Sequence, residues 1–226
     1  MISYNKSKNI LRKSSIKLGE EFINTHNCLN RVTSKNIYVH SYYPLGNNAA
    51  FDGYALKSSD TYKLNKKKYR KFKIIGSIAA GNKPIKKKIK KFQTIEIMTG
   101  ALIPKSFDTI VPIERINFHP NKKYPKYILI NKRIPKFENV RFKGSDYKKG
   151  DLLISQGTIL QPNHILALKT LGIKKIKVKK KPNILFFSTG NEITNKDKIS
   201  EWEVRNSNSY YINSLNHNFL FNFKDG

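Results

Sequence analysis

From Ile37 to Val140 the chain is cut into short apolar runs by turn residues, and this punctuation constrains the fold more than any other feature. Phe72 to Ile78, Thr94 to Met98, Thr109 to Ile113 and Tyr127 to Ile130 read as strands. Pro84, Pro104, Pro120, Pro125 and Pro135 fall between these runs or at their borders, where a missing backbone donor does least harm. The lysine-rich stretches Lys63 to Lys71 and Lys83 to Lys91 read as exposed loops or edge strands. The middle of the chain is therefore expected to be mostly β.

The flanks carry a different pattern. Lys8 to Arg31 is loosely helical, with Ile16, Phe22, Ile23 and Leu29 as candidate buried positions and Ser14 or Ser15 as a cap. Gly19 weakens that helix by about 1 kcal/mol relative to alanine. A second helix is better marked: Pro162 opens it, Ile165, Leu166, Leu168 and Leu171 form its apolar face, and Gly172 ends it. A lysine-rich strand, Ile173 to Val178, comes next. After Pro182, Ile184 to Phe187 has the composition of a buried parallel strand, and Ser209 to Leu215 that of a crossover helix. A lone β-α unit cannot bury its own sheet, which predicts exposed apolar surface on Ile184 to Phe187 and Phe219 to Phe223. No internal repeat is visible.

Charge and cysteine content narrow the function classes. The formal net charge of +29 would ordinarily suggest nucleic acid, but the basic residues are 37 lysines against 7 arginines. Specific readers of bases and phosphates favour the bidentate arginine fork, and no nucleic-acid motif accompanies the charge. The excess reads as compositional drift on solvated surfaces, one that still favours anionic small molecules. A single cysteine, Cys28, leaves no internal disulfide and no thiolate zinc cluster, and makes the cytoplasm the expected compartment. No window approaches the ~18 apolar residues of a membrane span, and the start of the chain has no apolar leader core. Neither nucleic acid nor membrane is an expected partner.

Four blocks carry candidate chemistry, and each has an ordinary reading beside it. Asn48 to Ala55 contains Asp52-Gly53, which alone is a common turn signal. Ile95 to Ala101 is a strand ending at Thr99-Gly100, with a hydroxyl and free backbone donors at its end. Val140 to Asp146 reads as strand, turn and solvated acid. Ser188-Thr189-Gly190-Asn191-Glu192 closes the Ile184 strand at its carboxyl end, where open α/β sheets bind ligands. A carboxylate beside such a turn serves either as a solvated acid or as part of an ion site.

In order and spacing these blocks resemble the molybdopterin molybdenumtransferase family, which includes the E domain of gephyrin. Asn48 to Ala55 is similar to the family's N-S-A-M-D-G-Y-A element, with Ala49 and Phe51 departing from it. Ala80-Gly81, Glu96 to Pro104, Val111 to Glu114, Val140 to Leu153, Gly157 to Gly172 and Ser188 to Glu192 follow in family order. The resemblance covers about Leu29 to Leu215. It implies an α+β multidomain architecture: an N-terminal helix and elongated segment over 1–46, a β-rich domain over 47–139, a return of the elongated segment with a helix over 140–180, and the first part of an α/β molybdopterin-binding-like domain over 181–226.

The resemblance also implies a reaction. Molybdenum from molybdate is inserted into adenylylated molybdopterin, AMP is released, Mg2+ assists, and the enzyme is a homodimer. Asp52, Thr99, Asp146 and Glu192 match positions at or near the active cleft, and Ser188, Thr189, Gly190 and Asn191 match the turn that approaches the pterin ligand. Carboxylates acting through a hard cation, with backbone donors, suit phosphate and oxyanion groups, and no protein nucleophile is needed. Asn191 stands where the family usually has aspartate, which removes one negative charge from that turn. The family's later blocks, rich in glycine, lysine and proline, are absent, which implies a chain truncated within the catalytic domain. The alternative expectation is therefore an inactive remnant that binds ligand or dimerises without turnover.

Overall fold

A computed structural model describes residues 2–14, 16–65, 69–86, 88–216 and 220–226. In chain order these form α1 (Tyr4–Lys13), β1 (Glu20–Asn24), β2 (Ile37–Tyr38), β3 (Asn48–Ala49), β4 (Gly53–Leu56), β5 (Arg70–Ile78) and β6 (Gln93–Ile97). There follow β7 (Thr109–Pro112), β8 (Asn117–His119), β9 (Tyr127–Ile130), β10 (Val140–Arg141), β11 (Leu152–Ile154) and α2 (Pro162–Thr170). The chain closes with β12 (Lys175–Lys179), β13 (Asn183–Phe186), β14 (Ile193–Thr194), β15 (Val204–Arg205), α3 (Asn208–Ser214) and β16 (Asn222–Asp225). Three short 3-10 turns intervene at Thr25–Asn27, Ser58–Thr61 and Ile113–Arg115. Two compact units result, one made of residues 39–151 and the other of residues 1–38 with 152–226.

The 39–151 unit is built on a six-stranded sheet ordered β7-β4-β6-β5-β9-β8. All four of the runs read as strands lie in it, as β5, β6, β7 and β9. Side chains alternate across a strand, so neighbouring residues feed opposite faces. On β4, Ala55 joins a cluster with Ile95, Ile97 and Ile110, while Tyr54 and Leu56 join another with Phe72, Val111 and Ile128. Both faces are thus covered, which is why every residue of β4 and β7 is buried. Burying a side chain such as Phe72 contributes roughly 1.5–3 kcal/mol, and its ring meets Phe92 edge-on at 5.6 Å. The Thr94 hydroxyl donates to the Ala55 carbonyl at 2.8 Å and Asp60 accepts from the Phe92 N–H at 3.0 Å, whereas Asn48 Oδ1 is buried without a partner among the described residues. The strand starting at Arg70 is interior, between β6 and β9, so the end of the Lys63 to Lys71 stretch is neither loop nor edge. Residues 66–68 and 87 of the two lysine-rich stretches lie outside the described residues.

In the other unit the expected helix over Lys8 to Arg31 is not formed. The helix is α1, capped by the Ser3 side chain and closed at Ser14, whose N–H donates to Ile10 and Leu11 carbonyls. Ser14 therefore ends a helix rather than starting one, and Ser15 lies outside the described residues. Beyond Gly19 the chain becomes β1, antiparallel to β12 from Glu20↔Lys179 to Asn24↔Lys175. Strand alternation puts Ile23 against a core of Cys28, Leu160, Leu168, Ile176 and Val178 and leaves Phe22 70% exposed. Ile16 and Leu29 are exposed as well. Tertiary pairing overrides the loose helical pattern because it satisfies the backbone over the whole strand and ties Glu20 to Lys177 and Lys179.

Helix α2 forms as expected, with Pro162 at its start and Gly172 just beyond it. Its apolar face is narrower than read from sequence. Ile165 and Leu168 pack on the core, but Leu166, one residue of helical rotation away from Ile165, is 70% exposed. Strand β13 is parallel to β16 in register Asn183↔Asn222 to Phe186↔Asp225. Ile184, Leu185, Phe187 and Leu220 are exposed as expected, but Phe186, Phe221 and Phe223 are half-buried, the Phe186 and Phe223 rings stacking on each other across the strand pair. Phe219, part of that expectation, lies outside the described residues.

Candidate functional site

The first expected site residues lie in the 39–151 unit. Asn48–Ala49 is held against the segment after β6: the Ala49 N–H donates to the Ala101 carbonyl at 3.0 Å and the Gly100 N–H to the Ala49 carbonyl at 2.9 Å. Asn48 Nδ2 donates to the Gly100 carbonyl at 2.6 Å. The chain then turns through Phe51 and Asp52 into β4, and the Asp52 carbonyl accepts from the Ile113 N–H at 3.0 Å. This brings the acid of one block to the strand end of the next. Asp52 Oδ1 accepts from both the Thr99 N–H, at 2.7 Å, and the Thr99 hydroxyl, at 2.6 Å. Asp52 Oδ2 has no partner among the described residues. The Thr99 hydroxyl, and then its N–H, hold the exposed carboxyl below its ordinary range. The result is a fixed anion at the surface, with one oxygen saturated and one free to receive a cation or a donor.

Asp146 is engaged otherwise. Arg141, on β10, pairs with Asn48 on β3, and its guanidinium binds Asp146 Oδ2. Asp146 Oδ1 accepts from the Ser145 hydroxyl at 2.9 Å. Arg141 first, and Ser145 next, lower the carboxyl's pKa. Gly144, at φ +71°, makes the turn possible: a Cβ there would stand 2.6 Å from the Tyr42 ring. Both carboxylate oxygens of Asp146 are thus occupied, so it anchors the turn beside Asn48 and is less open to ligand than Asp52.

The remaining expected residues belong to the other unit. Ser188 follows β13, and its hydroxyl donates to Asn206 Oδ1 at 2.9 Å. Asn206 Oδ1 also accepts from the Ser209 N–H at 3.5 Å, while the Ser209 hydroxyl is buried without a partner among the described residues. Thr189, Gly190 and Asn191 are exposed. Gly190 accepts from the Ile193 N–H at 3.2 Å, and the Glu192 carboxylate folds over it so closely that a Cβ would lie 2.6 Å from Glu192 Oε1. The Glu192 carbonyl accepts from the Val204 N–H at 2.7 Å. Among the described residues no group of three or more His, Cys, Asp or Glu side chains is placed to hold a metal ion. No described helix is long and apolar enough to cross a membrane.

Sequence reading missed a cleft of about 990 Å³ in the 39–151 unit. Its lysines come from five separate stretches, so nothing local marks them. It also missed the Arg141–Asp146 pair, whose signal was present: both residues stand in one block, five positions apart.

Comparison with known proteins gives a consistent result. The family described as MoeA N-terminal region (domain I and II) matches residues 2–172. The molybdopterin molybdenumtransferase of Bacillus subtilis (strain 168) is 31% identical over 199 residues, which are 87% of this chain and 46% of the relative. The corresponding protein of Staphylococcus aureus (strain Mu50) is 30% identical over 188 residues, 83% of this chain and 43% of that one. A crystal structure of a molybdopterin biosynthesis MoeA protein from Pyrococcus horikoshii superimposes with a TM-score of 0.85 at 26% identity, covering 100% of this chain and 59% of that one. The chain spans about half the length of the curated relatives it matches.

Proposed function

The chain belongs to the MoeA N-terminal region family, and from that premise we propose that it serves molybdenum cofactor biosynthesis, inserting molybdenum from molybdate into adenylylated molybdopterin with release of AMP. The observation that carries this reading is the Asp52–Thr99 clasp. Two donors on one carboxylate oxygen keep the side chain ionised and immobile, and the other oxygen is left for a ligand. A substrate bearing phosphates and an oxyanion requires such fixed charges, offered through a hard cation or a donor.

Mg2+ suits that donor set in a limited sense. It is commonly bound by one or two carboxylates together with substrate phosphates rather than by a protein cage, and Asp52 offers one free carboxylate oxygen. When bound, the ion would neutralise charge on the phosphates. Asp52 would orient it, and Thr99 would orient Asp52. In this reading the Ser188–Glu192 turn meets the pterin, the working form is a cytoplasmic homodimer, and the basic surface attracts anionic substrates rather than nucleic acid.

Asp52→Ala should abolish molybdate-dependent cofactor formation in a complementing strain while leaving expression intact; an undiminished yield would remove the assignment. A second reading, ligand capture or dimerisation without turnover, draws support from the exposed β13, because a turn carried by so open a strand is poorly preorganised. Release of AMP from adenylylated molybdopterin by this chain favours the first reading. Binding without release favours the second.

A further inference from the structure

The cleft of about 990 Å³ contains none of Asp52, Thr99 and Asp146, and its chemistry is unlike theirs. Lys57, Lys86, Lys105, Lys136 and Lys143 stand around it, all exposed. Among the described residues none of the five forms an ion pair. Asp108 is the one acid lining it, and its carboxylate is already bound by the Ser58 N–H at 2.7 Å and the Ser58 hydroxyl at 2.9 Å. Much of the remaining lining is apolar, with Ile85, Leu102, Ile103, Phe137 and Val140 prominent. Lysine is common over the whole chain, so the count alone means little. Lys136 Nζ lies 4.7 Å from the centre of the Phe137 ring and Lys143 Nζ 4.7 Å from that of Tyr42; what is specific is five lysines without an ion-pair partner among the described residues, set around an apolar hollow.

The walls are pinned. The Ile103 N–H donates to the Asn47 carbonyl at 2.9 Å, and the Lys143 N–H to the Asn47 side chain at 2.9 Å, joining two sides. The Phe137 N–H donates to the Asp108 carbonyl at 2.8 Å, and the Asp108 N–H to the Leu56 carbonyl at 3.0 Å, joining a third. Phe137 is held at φ 68°, a conformation that costs a bulky residue free energy, and the residue is 44% exposed. The volume lies at the upper end of the range of small-molecule sites, and a hollow set by backbone hydrogen bonds takes a ligand with little ordering cost.

We propose that this cleft is a second binding site, for an organic phosphate with an aromatic or apolar body: the body lies on Phe137, Leu102 and Val140, and the phosphate meets the lysines. The site does not depend on the Asp52 reading and stands or falls separately from it. Full-length protein titrated with 1-naphthyl phosphate, followed by methyl NMR of Ile85, Ile103 and Val140, tests it. The expected result is saturable shifts at those methyls and an affinity about tenfold or more above that of inorganic phosphate or 1-naphthol alone, since body and charge act together. The double variant Lys57→Gln, Lys136→Gln should keep its amide spectrum and bind about tenfold more weakly. Equal binding of inorganic phosphate, shifts at lysine-rich surface away from these methyls, or full affinity in the folded double variant would each overturn the proposal.

Discussion

Asp52 and Thr99 are anchored at the ends of β4 and β6, inside a six-stranded sheet with a packed cluster on each face. Ser188 to Glu192 follow β13, whose hydrogen-bonded partner among the described residues is β16. The two strands are alike in apolar character, yet Ile97 on β6 is fully buried and Leu185 on β13 is 56% exposed. The difference lies in their neighbours. An acid fixed by two donors on a covered sheet is preorganised, whereas a turn on a two-stranded parallel pair inherits that pair's weakness.

Substitutions in the two regions should therefore differ sharply. Phe72→Ala removes a fully buried ring and should destabilise the 39–151 unit by about 3–5 kcal/mol, read by urea unfolding with hydrogen exchange to locate the loss. A cost under about 1 kcal/mol would mean that the two-faced core does not support the clasp. Gly53→Ala comes next. A Cβ at Gly53 would run into the Val111 carbonyl of the paired strand, and a loss of roughly 1–3 kcal/mol is expected by the same measurement, with weakened protection on β4 and β7.

A smaller effect tests the clasp itself. The folded pKa of Asp52 lies below the ordinary 3.8, so its contribution is complete above that value and is lost as pH falls through the folded one. Thr99→Val deletes the hydroxyl donor and should raise the Asp52 midpoint toward 3.8 in a carboxyl carbon NMR titration; an unmoved midpoint would show that the hydroxyl is not what holds the charge. Smallest of all, Leu185→Lys should change stability by no more than about 0.5 kcal/mol while reducing self-association in sedimentation velocity. A loss like that of Phe72→Ala would erase the contrast between the two regions.

Four of the six sheet strands of the middle region, β5, β6, β7 and β9, were legible because proline and turn residues bound short apolar runs, a signal carried within a few residues; β4 and β8 were not read from the sequence. The α2 boundaries were legible for the same reason, through Pro162 and Gly172. The β1 strand was not. Glu20 to Asn24 become a strand by pairing with Lys175 to Lys179, and no local pattern records a partner about 150 residues away.

The site divides along the same line. Residue types and their order were enough to single out Asp52, Thr99, Asp146 and Glu192 and to point to the family, because the chemistry of each block is written in its own few residues. Tertiary structure alone decided that Asp52 and Thr99 share hydrogen bonds while Asp146 is occupied by Arg141 and Ser145. It alone drew five scattered lysines around one apolar hollow. Sequence specifies which groups are available; distance and direction, on which hydrogen bonds and charge interactions depend, exist only once remote segments are packed together.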